Sequence, residues 1–142
     1  MANVLFAIRP DYVKKILSGK KSFELRTVRC QRPIARIVIY ATAPVCRIVG
    51  ETAIGQVFQA PPGMLWPEIR HGAGMSKDAF DAYFQGRSVA VAYQLVRPVQ
   101  YQWPVRLEVL GIERPPQSFC YLLEEQYRCL SAVVRDADRF SI

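Results

Sequence analysis

Hydrophobic residues at the start of the chain follow first a strand pattern and then a helical one. Residues 4–8 form a short apolar run with strand character. Pro10 suits the first turn of a helix, and the apolar positions among residues 13–17 recur at helical spacing. Gly19 favours the left-handed conformation past a helix end, and residues 22–26 alternate again. The opening therefore predicts a strand, a short helix and a second strand.

The densest β-branched segment comes next and predicts the clearest strand, over residues 36–42. A long strand is predicted over residues 47–58, with Gly50 and Gly55 inside it. Glycines within a strand often mark a bulge or a barrel bend. The pattern therefore indicates a curved sheet.

The second half of the chain continues the mixture of strands and helices. Residues 60–74 are rich in proline and glycine, so we expect an irregular segment with at most a helical turn. Ser76 is a good N-cap for a helix over residues 76–85, where aromatic side chains recur at helical spacing. Strands are predicted over residues 89–96 and 105–109.

Apolar residues between positions 122 and 134 form one helical stripe, which predicts an amphipathic C-terminal helix. We expect this helix to dock on the body of the domain, and a dimer contact is the alternative. About five or six strands and two to four helices, without a regular strand–helix–strand rhythm, predict an α+β fold around a curved or barrel-like sheet.

The size and composition of the chain fit one globular domain. It has 142 residues, of which 51% are hydrophobic and 22% charged. The sequence lacks an apolar run long enough for a membrane span and a basic segment ahead of its apolar N-terminus, so a cytoplasmic protein is expected. Four cysteines without a CxxC pair and a single histidine argue against a structural zinc site. We expect no metal and no cofactor.

Positive charge is concentrated in the first third of the chain. The formal net charge is +7, and ten of the nineteen Lys and Arg residues lie between Arg9 and Arg47, beside two acidic residues. The rest of the chain is close to neutral. A concentrated positive field attracts polyanions, of which nucleic acid is the commonest. An RNA or nucleotide partner is therefore favoured over a merely basic surface.

One short stretch inside this basic third combines charges of both signs. In a strand over residues 22–26, Glu24 and Arg26 share one face, while Phe23 and Leu25 on the other face point into the core. Lys20 and Lys21 sit at the bend before the strand, where long cationic side chains can reach a ligand. A solvated ion pair on a surface turn is the alternative interpretation.

Other catalytic patterns find no support in the sequence. A Ser-His-Asp arrangement would have to use His71, whose surroundings do not favour it. Gly19-Lys20-Lys21-Ser22 follows a helix and precedes a strand, the reverse of a phosphate-binding P-loop. The scattered acidic residues show no metal-ligand spacing.

Three segments of the chain match a known pattern in the order in which they occur. They are Ala7-Ile8-Arg9-Pro10-Asp11-Tyr12 with Gly19-Lys20-Lys21-Ser22-Phe23-Glu24-Leu25-Arg26, then Tyr40-Ala41-Thr42-Ala43-Pro44 with Ile48-Val49-Gly50-Glu51, and then the run from Ser76 to Ala92. The first contains the signature G-x-K-x-x-E-x-R. On these segments the chain resembles the ASCH domain family of the PUA-like superfamily. The resemblance assigns residues 1–118 to this domain and leaves residues 119–142 as a C-terminal helical extension packed on it.

The resemblance implies a PUA-like curved sheet or small β-barrel with flanking helices, a cleft, and a role in RNA metabolism or its regulation. The expected function is a binding module for RNA or a modified nucleotide. In it, basic side chains would contact phosphates, Glu24 and Arg26 would meet base edges or orient Lys21, and an aromatic ring would stack. The predicted binding residues are Arg9, Lys20, Lys21, Glu24, Arg26, Tyr40, Thr42 and Arg47.

A metal-independent hydrolase is the alternative function. One branch of the family is similar to amidohydrolases that act on N4-acetylcytidine, where a lysine activates a threonine three residues later. Lys21 matches that lysine, whereas Glu24 stands at the threonine position. Other members are linked to ribonuclease activity. As an enzyme on RNA or a nucleoside, the protein would use Lys21, Glu24 and Arg26. A regulatory protein that assembles through its C-terminal helix is a third reading.

Overall fold

The computed structural model describes the backbone of residues 1–140 and the side chains of residues 1–136. The strands are β1 Ala2–Ile8, β2 Phe23–Arg26, β3 Ile34–Ala41, β4 Arg47–Ala60, β5 Ala90–Val105 and β6 Phe119–Leu122. The α-helices are α1 Pro10–Leu17, α2 Pro62–Ile69, α3 Lys77–Tyr83 and α4 Glu124–Phe140. Short 3₁₀ helices cover Arg70–Gly72 and Leu107–Leu110.

All six strands of the described chain belong to one mixed sheet in the order β2-β5-β4-β3-β1-β6. β1 runs parallel to β3, and the other neighbours pair antiparallel. β2 and β6 remain at opposite edges, so the sheet is not closed into a barrel. The α+β class and the curved sheet expected from the sequence are confirmed, and the sheet takes the open form.

Irregular pairing between β4 and β5 bends the sheet. The register shifts near Gly50 and again between Ile54 and Val57, the two regions where glycines predicted bulges. A further shift lies opposite Arg97 and Pro98, where β5 holds one residue more than β4. Arg97 has a φ of 50°, and a bulge suits Pro98 because a proline has no N–H for the ladder.

The two faces of the sheet carry separate hydrophobic cores. Phe6 of β1 packs with residues of α1 on one face, and Leu5 packs with Leu130 of α4 on the other. Period-two alternation along β1 produces this division. A third core joins Phe23 and Leu25 of β2 to residues of α2 and α3. The alternation predicted for residues 22–26 is therefore confirmed, because Phe23 and Leu25 lie in the same core on one side of β2.

Three segments differ from the sequence expectations. Residues 60–74 contain the eight-residue helix α2, although Pro67 lies inside it. The strand predicted over residues 105–109 is wrong, since β5 ends at Val105 and a 3₁₀ helix follows. The four residues of β6 pair antiparallel with β1, a strand that the sequence did not predict. α4 then packs against the sheet through Leu130, which has no exposed surface.

Candidate functional site

A cleft of about 430 Å³ opens at the carboxyl end of β1, between α1 and α3. Strand ends form its floor, and the two helices form its walls. Its lining residues are Ala7, Ile8, Arg9, Tyr12, Lys21, Glu24, Leu25, Arg26, Met75, Ala79, Ala82 and Tyr83. We call it the β1 cleft.

Lys21 places a buried amine at this cleft. The residue is 2% exposed, and its Nζ donates a 2.6 Å hydrogen bond to the carbonyl of Ala73. The same Nζ lies 3.9 Å from Oε1 of Glu24 and 4.8 Å from the ring centroid of Tyr12. Burial lowers the pKa of the Lys21 ammonium, and the Glu24 carboxylate opposes that shift. An ammonium has three donors, so Lys21 retains donors beyond the Ala73 bond.

Two glycines allow the backbone to approach Lys21 closely. A Cβ on Gly74 would lie 2.7 Å from Cβ of Lys21, and the φ of Gly74 is +69°. A Cβ on Gly72 would overlap the side chain of Ser22. Nζ of Lys15 donates to the carbonyl of Gly74 at 2.8 Å. The carbonyls of Ala73 and Gly74 are thus bonded to Lys21 and Lys15, and the two glycine positions leave no space for larger side chains.

Arg26 is fully engaged within the protein. Its Nε and Nη2 donate to Oε2 of Glu24 at 3.2 and 2.8 Å, and Nη2 also donates to the carbonyl of Ala7 at 3.0 Å. Its Nη1 donates to the hydroxyl and the carbonyl of Ser118 at 2.9 and 3.3 Å. A guanidinium has five N–H donors, and these contacts use all of them. Arg26 therefore fixes Glu24 and contributes positive charge without a spare donor.

Glu24 links the two cations. It is 5% exposed, and β2 pairing with β5 holds its backbone opposite Tyr93. Oε2 accepts both bonds from Arg26, whereas the 3.9 Å between Oε1 and Lys21 is too long for a direct hydrogen bond. Oε1 is therefore the carboxylate oxygen best able to accept a hydrogen bond from a ligand in the cleft.

Two tyrosines on opposite walls complete the cleft. Cationic groups of Arg9, Lys15 and Lys21 lie 4.9, 5.9 and 4.8 Å from the ring centroid of Tyr12. This ring is already surrounded by cations, which it attracts through its π-face. Tyr83 on α3 is 46% exposed. Tyr83 is accordingly the ring with free surface for stacking on a planar ligand.

The structure divides the predicted binding residues among several places. Arg9, Lys21, Glu24 and Arg26 come together at the β1 cleft. Lys20 is exposed and lies outside the cleft lining.

The remaining predicted residues lie elsewhere. Tyr40 and Arg47 line a second cleft of about 440 Å³ with residues of the segment that follows β5. Tyr40 packs in the core beside α4, so this second cleft is on the opposite face of the sheet from the β1 cleft. Thr42 lines neither cleft.

Several residues of the β1 cleft were not in the predicted set. Tyr12 and Tyr83 both belong to the segments that match the ASCH pattern. Their place in the cleft becomes visible only in the structure, where their helices face each other. Ser118 is distant in sequence, and no local pattern points to its contact with Arg26. Gly74 supplies a signal in principle, because a glycine readily adopts the positive φ that this turn requires.

Within the described residues, no group of three or more His, Cys, Asp or Glu side chains is placed to hold a metal ion. No helix in the described part of the chain is long and apolar enough to cross a membrane. The chemistry at the cleft is that of one amine, one carboxylate and one guanidinium, together with aromatic rings.

An open mixed sheet with helices on its flanks therefore forms a small α+β domain. Its cleft is mostly apolar and has a lysine, a carboxylate and an arginine at its floor. Comparison with known proteins places this domain. The chain is 32% identical over 140 residues to the ASCH domain-containing ribonuclease of Zymomonas mobilis. This alignment covers 94% of this chain and 93% of that protein. The chain belongs to the ASCH domain family. No family model matches it.

Solved structures agree with this assignment. The crystal structure of ASCH from Zymomonas mobilis superposes with a TM-score of 0.86 at 28% identity, covering 93% of this chain and 95% of that one. The N-terminal domain of McrB from Staphylothermus marinus has a TM-score of 0.60 at 13% identity over 92% of this chain and 93% of that one, and so shares the fold alone. The open sheet is consistent with the PUA-like fold.

Proposed function

We propose that the protein is an RNA-binding module that takes an unpaired nucleotide into the β1 cleft. The observation that carries this proposal is the juxtaposition of buried Lys21 and Glu24 with the exposed ring of Tyr83 in one cleft. A charged donor, a charged acceptor and an aromatic surface are what recognition of a splayed-out base requires.

Each group has a role in this arrangement. The ring of Tyr83 stacks on the base, and Oε1 of Glu24 accepts from an amino or imino group on its edge. Lys21 and the exposed guanidinium of Arg9 face the phosphate. Arg9 is paired with Asp11 at 2.9 Å, yet its side chain is 68% exposed, so it can turn towards a polyanion. Arg26 acts as a positioning residue for Glu24.

The similarity to the Zymomonas ribonuclease supports an RNA ligand. The charge distribution supports it independently, because most positive charge lies in the segment that contributes Lys21, Glu24 and Arg26.

Fluorescence anisotropy with a labelled single-stranded RNA of about ten nucleotides, a typical single-strand site size, tests the proposal. Lys21→Met removes the ammonium while filling its space, and we expect weaker binding and a salt slope smaller by about 0.7. Lys14→Met is the matched control, because Lys14 is an exposed lysine on α1 outside the cleft lining.

Tyr83→Leu gives a second, independent measurement. Loss of base stacking is expected to reduce the binding free energy by about 1–3 kcal/mol while leaving the salt slope unchanged. RNA binding that is equal in wild type, Lys21→Met and Tyr83→Leu would show that the β1 cleft is not the binding site.

A metal-independent hydrolase acting on RNA or a modified nucleoside is the second candidate. The pKa of Lys21, which burial lowers, favours it, because a lysine with a lowered pKa gives up its proton more readily and so becomes a better general base. Glu24 lies within 3.9 Å of the amine, and the fixed charge of Arg26 can stabilise a developing anion.

Incubation with single-stranded RNA, and separately with N4-acetylcytidine, in the presence of EDTA distinguishes the two candidates. Product formation that disappears in Lys21→Met and persists in Lys14→Met supports the enzyme. Tight RNA binding without any product in either incubation supports the binding module alone.

We expect the protein to act in the cytoplasm, where thiols stay reduced, and its four cysteines are free. A dimer through α4 stays a prediction, and size-exclusion chromatography of the full chain tests it.

A further inference from the structure

The loop of residues 27–33, between β2 and β3, carries two exposed arginines beside the β1 cleft. Arg29 and Arg32 are both exposed, and the sequence has no acidic residue between Glu24 and Glu51. Among the residues that the structure describes, neither guanidinium forms an ion pair. Their positive charge is therefore uncompensated. We call this segment the arginine loop.

Two tyrosines anchor the backbone of the arginine loop. The backbone N–H of Cys30 donates to the hydroxyl of Tyr93 at 2.8 Å, and the N–H of Arg32 donates to the hydroxyl of Tyr121 at 3.2 Å. The guanidinium of Arg32 also lies 4.7 Å from the ring centroid of Tyr121. A loop anchored in this way presents its charges without a large ordering penalty on binding.

The arginine loop and the β1 cleft lie on the same face of the sheet. Glu24 and Tyr93 are direct cross-strand partners, so their side chains share a face. The loop and Tyr93 line a depression of about 160 Å³. The ring of Phe6 touches both regions, because Arg26 lies 4.5 Å above it and Tyr93 packs against its edge at 5.5 Å.

The distance between the two regions is short. Arg29 follows Arg26 by three positions in the sequence, so their Cα atoms are at most about 11 Å apart. A strand whose base occupies the β1 cleft would carry its neighbouring phosphates over this loop.

We propose that Arg29 and Arg32 bind the phosphates that flank the nucleotide in the β1 cleft, so that the ligand is a single-stranded RNA segment and not a mononucleotide. This inference rests on the proposed function and specifies its ligand. Phosphate contacts of this kind set register and affinity without reading sequence.

Binding of two probes to the same variants tests the inference. The probes are a single-stranded RNA of about ten nucleotides and a mixture of the four nucleoside 5′-monophosphates. In Arg29→Ala/Arg32→Ala, we expect the oligonucleotide affinity to fall about tenfold at low salt and its salt slope to shrink by about 1.4. Binding of the monophosphates should stay unchanged, because the cleft is intact.

Two further variants control for charge and for folding. Arg128→Ala/Arg135→Ala removes the same charge from exposed positions on α4, against the other face of the sheet, and should bind both probes like wild type. Arg29→Lys/Arg32→Lys keeps the charge and should retain the salt slope.

Unchanged oligonucleotide affinity and slope in the double alanine variant would overturn the inference, as would a wild type that binds monophosphates as tightly as the oligonucleotide. Both results leave the proposed function standing. A wild type that binds neither probe would instead overturn the proposed function, and this inference with it.

Discussion

Gly74→Ala should lower the free energy of unfolding in two ways, by straining the backbone and by displacing the side chain of Lys21. The substitution places a Cβ 2.7 Å from Cβ of Lys21 on a residue whose φ is +69°. A non-glycine residue in the left-handed region loses about 1–2 kcal/mol. Displacement of Lys21 also breaks its bond to the Ala73 carbonyl, and a hydrogen bond to a charged group contributes about 1.5–3 kcal/mol. Together they predict a destabilisation of about 3–5 kcal/mol.

Gly111→Ala is the matched control for this experiment. Gly111 has a φ of +72°, and no atom lies within 4 Å of the Cβ that would be added. It should therefore lose only the backbone component of about 1–2 kcal/mol. Urea unfolding of both variants at 25 °C gives the difference in free energy of unfolding. RNA binding, measured on the folded fraction, should be weakened in Gly74→Ala and unchanged in Gly111→Ala.

Equal unfolding midpoints for the two variants, with RNA binding intact in both, would refute the reasoning. That outcome would mean that the segment around Gly74 moves away freely, and that the position of Lys21 does not depend on it.

Three further predictions concern polar groups that are hydrogen-bonded within the protein. Because burial lowers the pKa of Lys21, the folded protein releases this proton at a lower pH than the unfolded chain does. Between these two pKa values, the stability of wild type relative to Lys21→Met should rise with pH. Parallel curves of unfolding free energy against alkaline pH for the two proteins would contradict this. Tyr127→Phe removes a 2.8 Å hydrogen bond to the Glu51 carboxylate and should destabilise the protein by about 1.5–3 kcal/mol. In Tyr121→Phe the lost bond to the Arg32 backbone is neutral, and thermal unfolding should show a loss of only about 0.5–1.5 kcal/mol.

Local sequence patterns predicted the part of the site that lies in one stretch. Alternation placed Glu24 and Arg26 on one face of β2 and Phe23 and Leu25 on the other, and the structure confirms that Phe23 and Leu25 are buried in one core. The helix end at Gly19 was likewise predicted, and its φ is +84°. These features depend on neighbours a few residues away, which a sequence pattern records directly.

Features that depend on distant segments were not predicted. The continuation of β5 past Pro98 requires a bulge against β4, and proline alone reads as the end of a strand. β6 is only four residues long, too short for a clear strand pattern, and it is extended because it pairs with β1. The hydrogen bond from Lys21 to Ala73 spans 52 residues and uses a backbone carbonyl, for which no residue type is diagnostic.

The contacts of Arg26 also set a condition on when the site can exist. Its guanidinium joins β2 to the end of β1 and to Ser118, which lies 92 residues further along the chain. During synthesis on the ribosome, the first third of the protein emerges with Glu24 and Arg26 but without the partner that fixes them. The cleft can be completed only after Ser118 has left the exit tunnel and reached β1, where its carbonyl accepts from the N–H of Ala7. A nascent chain would therefore expose its basic segment well before it can hold a ligand specifically.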